Sequence, residues 1–560
     1  MNTTQRIVIV GGVAGGATAA ARCRRLDAHA SITILEKGSY ISFANCGLPY
    51  HVGGEIPDRQ KLLVASEKLF WDRFRVHVRC RHEVQQIDRE ARCVRGIRHD
   101  TGEPFEIHYD KLLLSLGSEP NTPPFWQPAN NLRHLWTMED MDQILRVLHE
   151  TVVHQAIVVG AGFVGLEIAE QLQQRGVKVT LVQQQSQILG PLNLPIARLA
   201  ERHLIENGIQ LCLSRSVNRL QIENGWIQSA TLDDGTAIET QLVISCTGVR
   251  PRTQLASLAG IELGSSRGVR VDNQMQTNDP HIWAVGDMVE YLHGVTQSPC
   301  LMPLAGPANR AGRVAAASMT GPSNRLFNRD DAEEPHEVMG PVLGTAIVRL
   351  FDWTVACTGL NLATLRAKEI PPRYAIIQAP QHASYFPDAH PLTLMLCYAP
   401  DGKILGAQAI GREGVDKRID VIATAMHFGG TVHQLAQLDL AYAPPFGSAK
   451  DPVHMAAFAA CNDLAGRPVL VPADISLADK QVVDVRTSRE REQLPLPDSI
   501  PIPIDELHDR WQELDPHRET IVVCHSAKRA HIGATLLLSH GFRDVKNLSG
   551  GMSIRSLLCG

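Results

Sequence analysis

A glycine pattern that occurs twice constrains the fold of this chain more than any other feature. The first copy follows the apolar run Arg6–Val10 and reads Gly11-Gly12-Val13-Ala14-Gly15-Gly16. An alanine-rich stretch comes next, and a second apolar run, Ser31–Leu35, then ends at Glu36. In a dinucleotide-binding βαβ unit, the helix N-terminus binds the pyrophosphate and the acid binds a ribose. The sequence therefore predicts such a unit, although Val13 replaces the middle glycine.

The second copy matches the full glycine pattern. A predicted strand, Val152–Val159, precedes Gly160-Ala-Gly162-Phe-Val-Gly165, and a helix and the strand Val177–Val182 follow. Gln183 stands where the ribose acid is expected. No arginine cluster stands there to hold a 2′-phosphate, so the sequence favours NADH over NADPH and leaves both open.

Two dinucleotide sites in one chain favour a flavin, FAD, that receives electrons from NADH or NADPH. Two further apolar strands end at Gly117 and Gly248, near the predicted crossovers between the two units. A third, within Thr277–Asp287, ends in Gly-Asp. We expect Asp287 to bond a ribityl hydroxyl, and the alternative is an ordinary helix N-cap.

One cysteine lies in a stretch of small and polar residues shortly after the first unit. The stretch Ser42–Tyr50, here called the Cys46 segment, reads Ser-Phe-Ala-Asn-Cys-Gly-Leu-Pro-Tyr. It offers neither a second thiol nor a metal ligand, so no metal site is predicted. A helix N-terminus, a cation or an electron-poor ring would lower the pKa of Cys46 and make it a nucleophile. The alternative is a cysteine buried as a small apolar residue.

A second candidate nucleophile lies near the C-terminus. The apolar run Thr520–Val523 leads directly into the Cys524 loop (Cys524–Arg529), which reads Cys-His-Ser-Ala-Lys-Arg and precedes a predicted helix. A thiol at a strand-to-helix turn faces backbone N–H groups and the positive end of the helix. This setting stabilises a thiolate or an anionic persulfide.

Length and composition exclude some classes of function. The 560 residues suffice for several domains, and 44% of them are hydrophobic. The net charge of -5 gives no reason to expect a nucleic acid or an anionic membrane as partner. The twelve cysteines are scattered without a C-x-x-C pair, which is typical of a reducing compartment. We therefore expect a cytoplasmic protein that acts on a small molecule.

With these motifs in place, the chain resembles the pyridine nucleotide–disulfide oxidoreductase family over roughly residues 5 to 455. Within that family it is similar to the coenzyme A-disulfide and persulfide reductases. The resemblance comes from the first glycine pattern, the Cys46 segment and Ala441-Tyr-Ala-Pro-Pro-Phe446. The dithiol branch would carry C-x4-C at Cys46. The NADH oxidase and peroxidase branch carries a histidine in the first glycine loop, where this chain has Val13 and Ala14.

Residues 466–560 resemble a rhodanese domain. The resemblance comes from the Cys524 loop, Asp484-Val-Arg486 and Ser549-Gly-Gly551. The C-x4-R loop is one residue shorter than the C-x5-R loop of tyrosine phosphatases, which suits one sulfur atom. Ala527 replaces a residue that is commonly glycine. The alternative is a degenerate rhodanese domain used only for docking.

Together the motifs and resemblances predict an α/β protein with two Rossmann-like dinucleotide-binding domains, an α+β dimerisation domain and a C-terminal α/β rhodanese domain. The FAD domain is discontinuous because the NAD(P)H domain is inserted in it. A polar stretch from Gly321 to Glu334 is predicted to be a linker. The predicted boundaries are 1–112 with 249–325 for FAD, 113–248 for NAD(P)H, 335–447 for dimerisation, 448–465 for a further linker and 466–560 for rhodanese.

The resemblance also implies roles for individual residues. In a homodimer, Tyr442 and, by a looser match, Tyr385 would reach the partner's cysteine, and Cys524 and Arg529 would be the reactive pair of the rhodanese domain. Lys37 and Val84 join the cofactor-binding residues. The residues implied to bind coenzyme A are Thr18, Arg22, Arg25, Ser42, Asn45, Asn309 and Lys450. Arg22 and Arg25 would share one helical face, which suits phosphates; the alternative is a solvated basic face that includes Arg24.

The function expected first is NAD(P)H-driven reduction of coenzyme A persulfide or polysulfide to sulfide, through a mixed disulfide of Cys46 with coenzyme A. Because the substrate supplies the second sulfur, one protein thiol suffices. A fused sulfur carrier favours this reaction over coenzyme A-disulfide reduction, which ranks second. A sulfur-carrier or redox-sensing flavoprotein is a further alternative. A flavin oxidase is disfavoured because the histidine of the glycine loop is missing.

Overall fold

The computed structural model describes residues 4–321 and 337–559. The chain forms two compact units, described separately here: Met1–Val182 with Arg215–Val342, and Gln183–Ser214 with Leu343–Gly560. Except for Gly321, the linker predicted from Gly321 to Glu334 lies outside the described residues. In the described part of the chain, no helix is both long and apolar enough to cross a membrane.

The first unit contains a five-stranded parallel sheet, the first sheet. Its strands lie in the order Ile282–Ala284, Lys111–Leu114, Arg6–Val10, Ser31–Leu35 and Val76–Arg79. The helices of this part are Ala14–Leu26, Leu48–Gly53, Glu67–Phe74, Gln254–Leu258 and Ala305–Thr320. Because parallel sheets are covered on both faces, the four strands other than the edge strand Val76–Arg79 are mainly apolar and buried over most of their length.

The second glycine pattern belongs to another parallel sheet of the same unit, the second sheet. Its strands Lys178–Gln183, Gln155–Val159, Leu242–Ser245 and Leu132–Arg133 lie side by side. The helices Met138–Glu150 and Phe163–Gln174 accompany it. Antiparallel strands complete the unit: His82–Asp88, Cys93–Arg98 and Pro104–His108; Val217–Glu223, Trp226–Leu232 and Ala237–Glu239; Ser118–Pro120 with Val249–Pro251; and Glu290–Leu292 with Pro299–Leu301.

The second unit contains a five-stranded antiparallel sheet. Its strands lie in the order Ala346–Leu350, Trp353–Gly359, Ile404–Gly411, Pro391–Tyr398 and Arg373–Pro380. The accompanying helices are Leu362–Ala367, Val415–His427, Val432–Leu435 and Pro452–Leu464. This mixture of strands and helices has the α+β character predicted for residues 335–447.

A stretch predicted to lie in the NAD(P)H domain, Gln183–Ser214, belongs to the second unit. It includes the helix Leu194–Glu206 and the strand Gln210–Leu213. The backbone N–H of Asn193 donates to Gln408 Oε1 at 2.7 Å, and Asn361 Nδ2 donates to the carbonyl of Gly190 at 2.9 Å. These bonds join residues far apart in sequence, so local patterns did not predict them.

The C-terminal part of the second unit contains a five-stranded parallel sheet. Its strands lie in the order Val469–Val471, Val545–Leu548, Thr520–Val523, Gln481–Asp484 and Ile500–Pro501. The helices are Ser488–Gln493, Leu507–Arg510, Lys528–Ser539 and Gly551–Cys559. Thr520–Val523 is fully buried, and its end carries the Cys524 loop.

The stretch predicted as a linker, residues 448–465, consists largely of the helix Pro452–Leu464. Asp463, which is 2% exposed, fixes the end of this helix. Its carboxylate accepts bonds from Arg373 at 2.6 and 2.7 Å, from the Tyr398 hydroxyl at 2.8 Å and from the Leu470 N–H at 2.7 Å. A buried charge with four donors is firmly held, so Asp463 ties the end of this helix to the antiparallel sheet and to the strand Val469–Val471.

We expect Asp463→Ala to lower the free energy of unfolding by about 3 kcal/mol, because the buried Tyr398 hydroxyl and Arg373 would lose their acceptor. Urea unfolding of the full chain measures this loss. Asp439→Ala removes an exposed carboxylate of the same unit and serves as the control. Equal stability of the two variants would contradict the role given to Asp463.

Candidate active site

The carboxyl ends of the parallel strands in the first sheet bring the predicted flavin-binding residues together. The N–H of Gly11 donates to Leu35 O at 2.8 Å, and the N–H of Ser115 donates to Val10 O at 2.8 Å. The N–H of Val285 donates to Leu114 O at 2.9 Å, which places Asp287 at the same end. Ligands of open α/β sheets bind outside this end.

Glycine is required in the first glycine loop (Gly11–Gly16) because two backbones approach closely. Gly11 has φ +98°, and a Cβ on it would lie 2.1 Å from Ser115 O. A Cβ on Gly16 would lie 1.9 Å from Gly11 O. Gly12 and Gly15 have similarly little space, each facing a side chain at less than 3 Å. The loop therefore turns tightly and leaves its outer backbone open to a ligand.

Two acids lie at the edges of this site, as FAD requires. Glu36 Oε2 accepts from the N–H of Gly12 at 2.8 Å, so the predicted ribose acid touches the loop that would hold the pyrophosphate. Asp287 Oδ2 accepts from the Ser118 hydroxyl at 2.8 Å. Burial raises the pKa of Asp287, although the Ser118 bond opposes this shift. Gly117 has open space where a side chain would be.

The two remaining residues predicted to bind FAD, Lys37 and Val84, differ in exposure. Lys37 pairs with Glu83 at 2.5 Å and is largely exposed. Val84 has a buried side chain in the strand His82–Asp88. The set of acids, glycines and open loop fits FAD, with Glu36 suited to the ribose and Asp287 to the ribityl chain.

The second glycine loop (Gly160–Gly165) repeats the backbone contacts of the first. Gly160 has φ +103°, and a Cβ on it would lie 2.3 Å from Cys246 O. A Cβ on Gly165 would lie 1.9 Å from Gly160 O, whereas Gly162 has nothing within 4 Å. Open space before the helix Phe163–Gln174 is what a bound pyrophosphate needs.

Gly248 and Gln183 are the other residues predicted to bind the nicotinamide dinucleotide. Gly248 follows the strand Leu242–Ser245 with φ +90°, beside the amide of Asn121. Gln183 is the half-buried last residue of Lys178–Gln183. The loop geometry fits a nicotinamide dinucleotide, and Gln183 carries no charge with which to distinguish NADH from NADPH.

The Cys46 segment is attached to the first glycine loop by its backbone. The N–H of Ser42 donates to Gly12 O at 2.8 Å, and the N–H of Ala44 donates to Leu62 O at 2.8 Å. Cys46 lies in a single 3-10 turn, Asn45–Gly47, immediately before the helix Leu48–Gly53. The residue as a whole is exposed, while packed chain surrounds part of its side chain. The structure therefore supports an accessible Cys46 rather than a buried apolar one.

The surroundings of Cys46 raise its pKa, whereas an activated thiol was expected to have a lowered one. Desolvation by the packed chain is the main cause, and the carboxylate of Glu167 adds to it, while the backbone N–H of Cys46 opposes it. The described protein groups thus favour the neutral thiol.

Glu167 and Tyr50 are site residues that the sequence reasoning missed. The Tyr50 hydroxyl donates to Glu167 Oε1 at 3.0 Å, joining the helix after Cys46 to the helix after the second glycine loop. The available signal was the position of Glu167 two residues after Gly165, in the first turns of that helix. Only the packing of the two helices shows that this acid influences Cys46.

Tyr385 and Tyr442 lie together in the second unit. Their hydroxyls share a hydrogen bond of 3.1 Å, which raises the pKa of Tyr385. They are 75% and 48% exposed, and Phe446 nearby in sequence is 73% exposed. Exposed aromatic residues of this kind are typical of a surface that contacts another protein.

The residues implied to bind coenzyme A separate into distinct settings. The Thr18 hydroxyl donates to Asn309 Oδ1 at 2.6 Å, so these two residues are together. Arg22 pairs with Glu337 at 2.7 Å, while Arg25 is exposed beside the Phe74 ring. Ser42 and Asn45 are half-buried in the Cys46 segment, and Lys450 is exposed in the second unit.

The basic face that included Arg24 is not simply solvated. Arg24 donates to the carbonyls of Phe74, Asp27 and Ala30, so it holds the local backbone. Arg22 shares Glu337 with Arg313. Arg25 is therefore the cation of this helix most available to a phosphate.

The Cys524 loop has the geometry of an anion-binding turn. Cys524 is 1% exposed, and its Sγ accepts from the N–H of Ala530 at 3.2 Å. Arg529 forms a bidentate pair with Glu490, with Nη1 to Oε2 at 2.8 Å. This pair raises the pKa of Arg529 and lowers the pKa of Glu490 to about 2. Arg529 therefore braces the loop, and its role towards a substrate stays a prediction.

Ala527 is the strained residue of this loop. Its φ of +68° lies in the left-handed region, where a glycine is commonly found, and Asn547 Nδ2 donates to its carbonyl at 3.1 Å. A left-handed conformation costs a residue with a Cβ roughly 1–2 kcal/mol. The loop thus keeps its left-handed turn with alanine in place of the common glycine, at the cost of strain.

The charge of Glu167 predicts a change in the reactivity of Cys46. Glu167→Gln should move the pH midpoint of Cys46 alkylation to lower pH, because loss of the carboxylate makes the thiolate easier to form. Iodoacetamide labelling followed by peptide mass spectrometry measures the midpoint. The exposed Cys559 provides an internal control whose profile should not move. An unchanged Cys46 profile would contradict the assignment.

The strain at Ala527 predicts that glycine stabilises this loop. Ala527→Gly should raise the free energy of unfolding by up to about 1 kcal/mol, since relief of strain exceeds the added entropy of the unfolded chain. Ala459→Gly, in the helix Pro452–Leu464, should instead cost about 1 kcal/mol. Thermal unfolding of the full chain separates the two signs. A loss of stability in both variants would show that Ala527 is unstrained.

Three family models match successive parts of the chain. The model for pyridine nucleotide-disulphide oxidoreductases matches residues 5–321, and the model for their dimerisation domain matches residues 345–452. A rhodanese-like domain matches residues 473–553. The predicted fold class, with its four kinds of domain, is confirmed.

Similar proteins are known along the whole chain. A coenzyme A disulfide reductase of Staphylococcus epidermidis is 32% identical over 459 residues, which are 81% of this chain and 99% of that protein. The crystal structure of reduced Bacillus anthracis CoADR-RHD has a TM-score of 0.93 and 38% identity, covering 99% of this chain and 98% of that one. A NAD-dependent persulfide reductase from A. fulgidus has a TM-score of 0.91 and 34% identity, covering 98% and 100%.

Proposed function

Because the chain belongs to the pyridine nucleotide-disulphide oxidoreductase family, we propose that it reduces the persulfide or polysulfide of coenzyme A to sulfide. The reaction is CoA–S–SH + NADH + H⁺ → CoA–SH + H₂S + NAD⁺, with NADPH as the alternative donor. The observation that carries the proposal is the presence of two placed thiols in one chain. Cys46 is exposed in a segment attached to the first glycine loop, and the Cys524 thiol accepts a backbone N–H at the start of a helix. Similarity to the persulfide reductase supports it.

In the proposed chemistry, the Cys46 thiolate attacks the inner sulfur of the persulfide, which is the thiol sulfur of coenzyme A itself. The S–S bond of the persulfide breaks, sulfide leaves, and a Cys46–S–S–CoA disulfide forms. FAD held by the first glycine loop, Glu36 and Asp287 would supply the electron pair, taken from the nicotinamide, that reopens this disulfide. Coenzyme A then leaves as the second thiol, and Cys46 is free again.

The leaving thiolate needs a proton, for which the hydrogen-bonded Tyr385 and Tyr442 are suited. We propose that the chain is a homodimer in which these tyrosines serve the partner subunit's Cys46. Support comes from the dimerisation domain and from the exposure of both tyrosines. Coenzyme A would bind through Thr18, Arg22, Arg25, Ser42, Asn45, Asn309 and Lys450.

A second function, coenzyme A-disulfide reduction, uses the same site with coenzyme A as the first leaving group. Similarity to the coenzyme A disulfide reductases supports it. The persulfide ranks first because Cys524 lies in a complete rhodanese-like domain, in which it can hold sulfane sulfur and pass it to coenzyme A. A sulfur carrier or redox sensor with little turnover is the remaining alternative.

The domain boundaries predicted above are the proposed organisation, with residues 448–465 as a connecting segment that is largely helical. The proposed location is the cytoplasm, where twelve cysteines without C-x-x-C would stay reduced. The proposed substrate is a small thiol or persulfide.

NADH oxidation with the two substrates tests the function. Cys46→Ser should lose more than 99% of activity with coenzyme A persulfide and with coenzyme A disulfide, since removing a nucleophile costs on the order of 10² or more. It should still bind FAD and remain yellow, because the cofactor residues are intact. Normal turnover by Cys46→Ser would refute the mechanism.

Cys524→Ser is the matched variant at the second thiol. It should retain activity with both preformed substrates and lose the sulfide production that starts from thiosulfate and coenzyme A. Reduction of the disulfide alone, with no persulfide activity in the wild type, would favour the second function. Sulfur loading on Cys524 without turnover of either substrate would favour the carrier.

A further inference from the structure

The first turn of the helix Gly551–Cys559 is hydrogen-bonded to the Cys524 loop. The N–H of Met552 donates to Cys524 O at 2.8 Å, and the N–H of Ser553 donates to His525 O at 3.0 Å. Gly551 lies so close that a Cβ on it would be 2.5 Å from both carbonyls. The position of the loop is therefore tied to the position of this turn.

The same turn is bonded to the antiparallel sheet of the second unit. Gln378 Nε2 donates to Ser553 Oγ at 2.8 Å, and Ser553 Oγ donates to Gly550 O at 3.0 Å. The N–H of Ile376 donates to Ser549 Oγ at 3.0 Å, and Ser549 is 1% exposed. The strand Arg373–Pro380 thus holds two serines that flank the glycines of the turn.

We propose that Gln378 is a positioning residue for Cys524. Gln378 fixes the side chain of Ser553, and the backbone N–H of Ser553 holds the His525 carbonyl. Through these two bonds Gln378 sets the position of the Cys524 loop and of its thiol. Gln378 touches no reacting atom. The dimerisation domain would therefore control how well the rhodanese domain accepts sulfur. This inference rests on the proposed function only in taking Cys524 as the sulfur acceptor.

The reaction that reports on this position is sulfur loading from thiosulfate. The Cys524 thiolate attacks the outer sulfur of thiosulfate, the S–S bond breaks, and sulfite leaves. Cys524 becomes a persulfide and gains one sulfur atom, with no other oxidant or reductant needed. A nucleophile that is slightly misplaced loses rate while substrate binding is largely kept.

The experiment uses the FAD-bound full chain with Gln378→Leu, Ser553→Ala and both together. Mass spectrometry follows the rate at which Cys524 gains a sulfur atom, over a range of thiosulfate concentrations. NADH oxidation with coenzyme A disulfide is measured in parallel as the activity of Cys46. Gln437→Leu, at an exposed glutamine of the same unit, is the matched control.

Each single variant should slow the maximal loading rate roughly three- to tenfold, the worth of one hydrogen bond, with a smaller change in the thiosulfate KM. The double variant should be no slower than the slower single one, because both remove the same bond. Activity with coenzyme A disulfide, and loading in Gln437→Leu, should not change. If Ser553→Ala does not fold, Gln378→Leu still decides, since it leaves the Ser553–Gly550 bond intact.

Loading at the wild-type rate in Gln378→Leu would overturn the inference. So would an equal fall in loading and in disulfide reduction, which would show a general loss of structure. A wild type that takes up no sulfur at Cys524 would instead refute the sulfur-carrier part of the proposed function, and the inference with it. If the wild type takes up sulfur at Cys524 and the variants take it up at the same rate, the inference about Gln378 is refuted while the proposed function stands.

Discussion

The approach of a helix to the loop before it, with only a glycine hydrogen between two backbones, is the contact on which both dinucleotide sites depend. Gly16 meets Gly11 and Gly165 meets Gly160 with the same spacing, because a Cβ would lie 1.9 Å from the facing carbonyl in each copy. Such contact aims the helix N-terminus at the strand ends. Since Ser42 bonds to Gly12, the same loop also sets where Cys46 stands.

The elements with strong local patterns were predicted closely from the sequence. The strands Arg6–Val10, Ser31–Leu35 and Thr520–Val523 have the predicted bounds, because each is a short, mainly apolar run that ends where a loop motif begins. The confirmed fold class follows from these runs together with the motifs between them. The positions of the glycines, acids and thiols at strand ends follow from the same patterns.

What the sequence did not predict depends on contacts between distant residues. The polar stretch around Asn193 joins the antiparallel sheet through Gln408, and no local signal marks that pairing. In the segment before the rhodanese domain, the pairing of Asp463 with Arg373 joins residues 90 positions apart, and no local signal marks it. Glu167 reaches the surroundings of Cys46 only through helix packing, and it raises a pKa that was expected to be lowered.

In the candidate site, too, the sequence predicted the reactive residues but not their partners. Residue types and spacing identified Cys46, Cys524 and the glycine loops, because the chemistry requires those types. The partners of these residues were not predictable. Glu490 opposite Arg529 and Glu337 opposite Arg22 come from other elements and change what each arginine is free to do.

The bond from Ile376 to Ser549 has a consequence for solubility. Arg373–Pro380 is the outermost strand of its sheet, and an outermost strand offers unpaired backbone groups to any other chain. In this protein a serine hydroxyl from the rhodanese domain occupies one of those groups. Removing that domain would remove the Cys524 thiol and would also expose the edge of this strand. A shortened chain would therefore be prone to self-association through strand pairing.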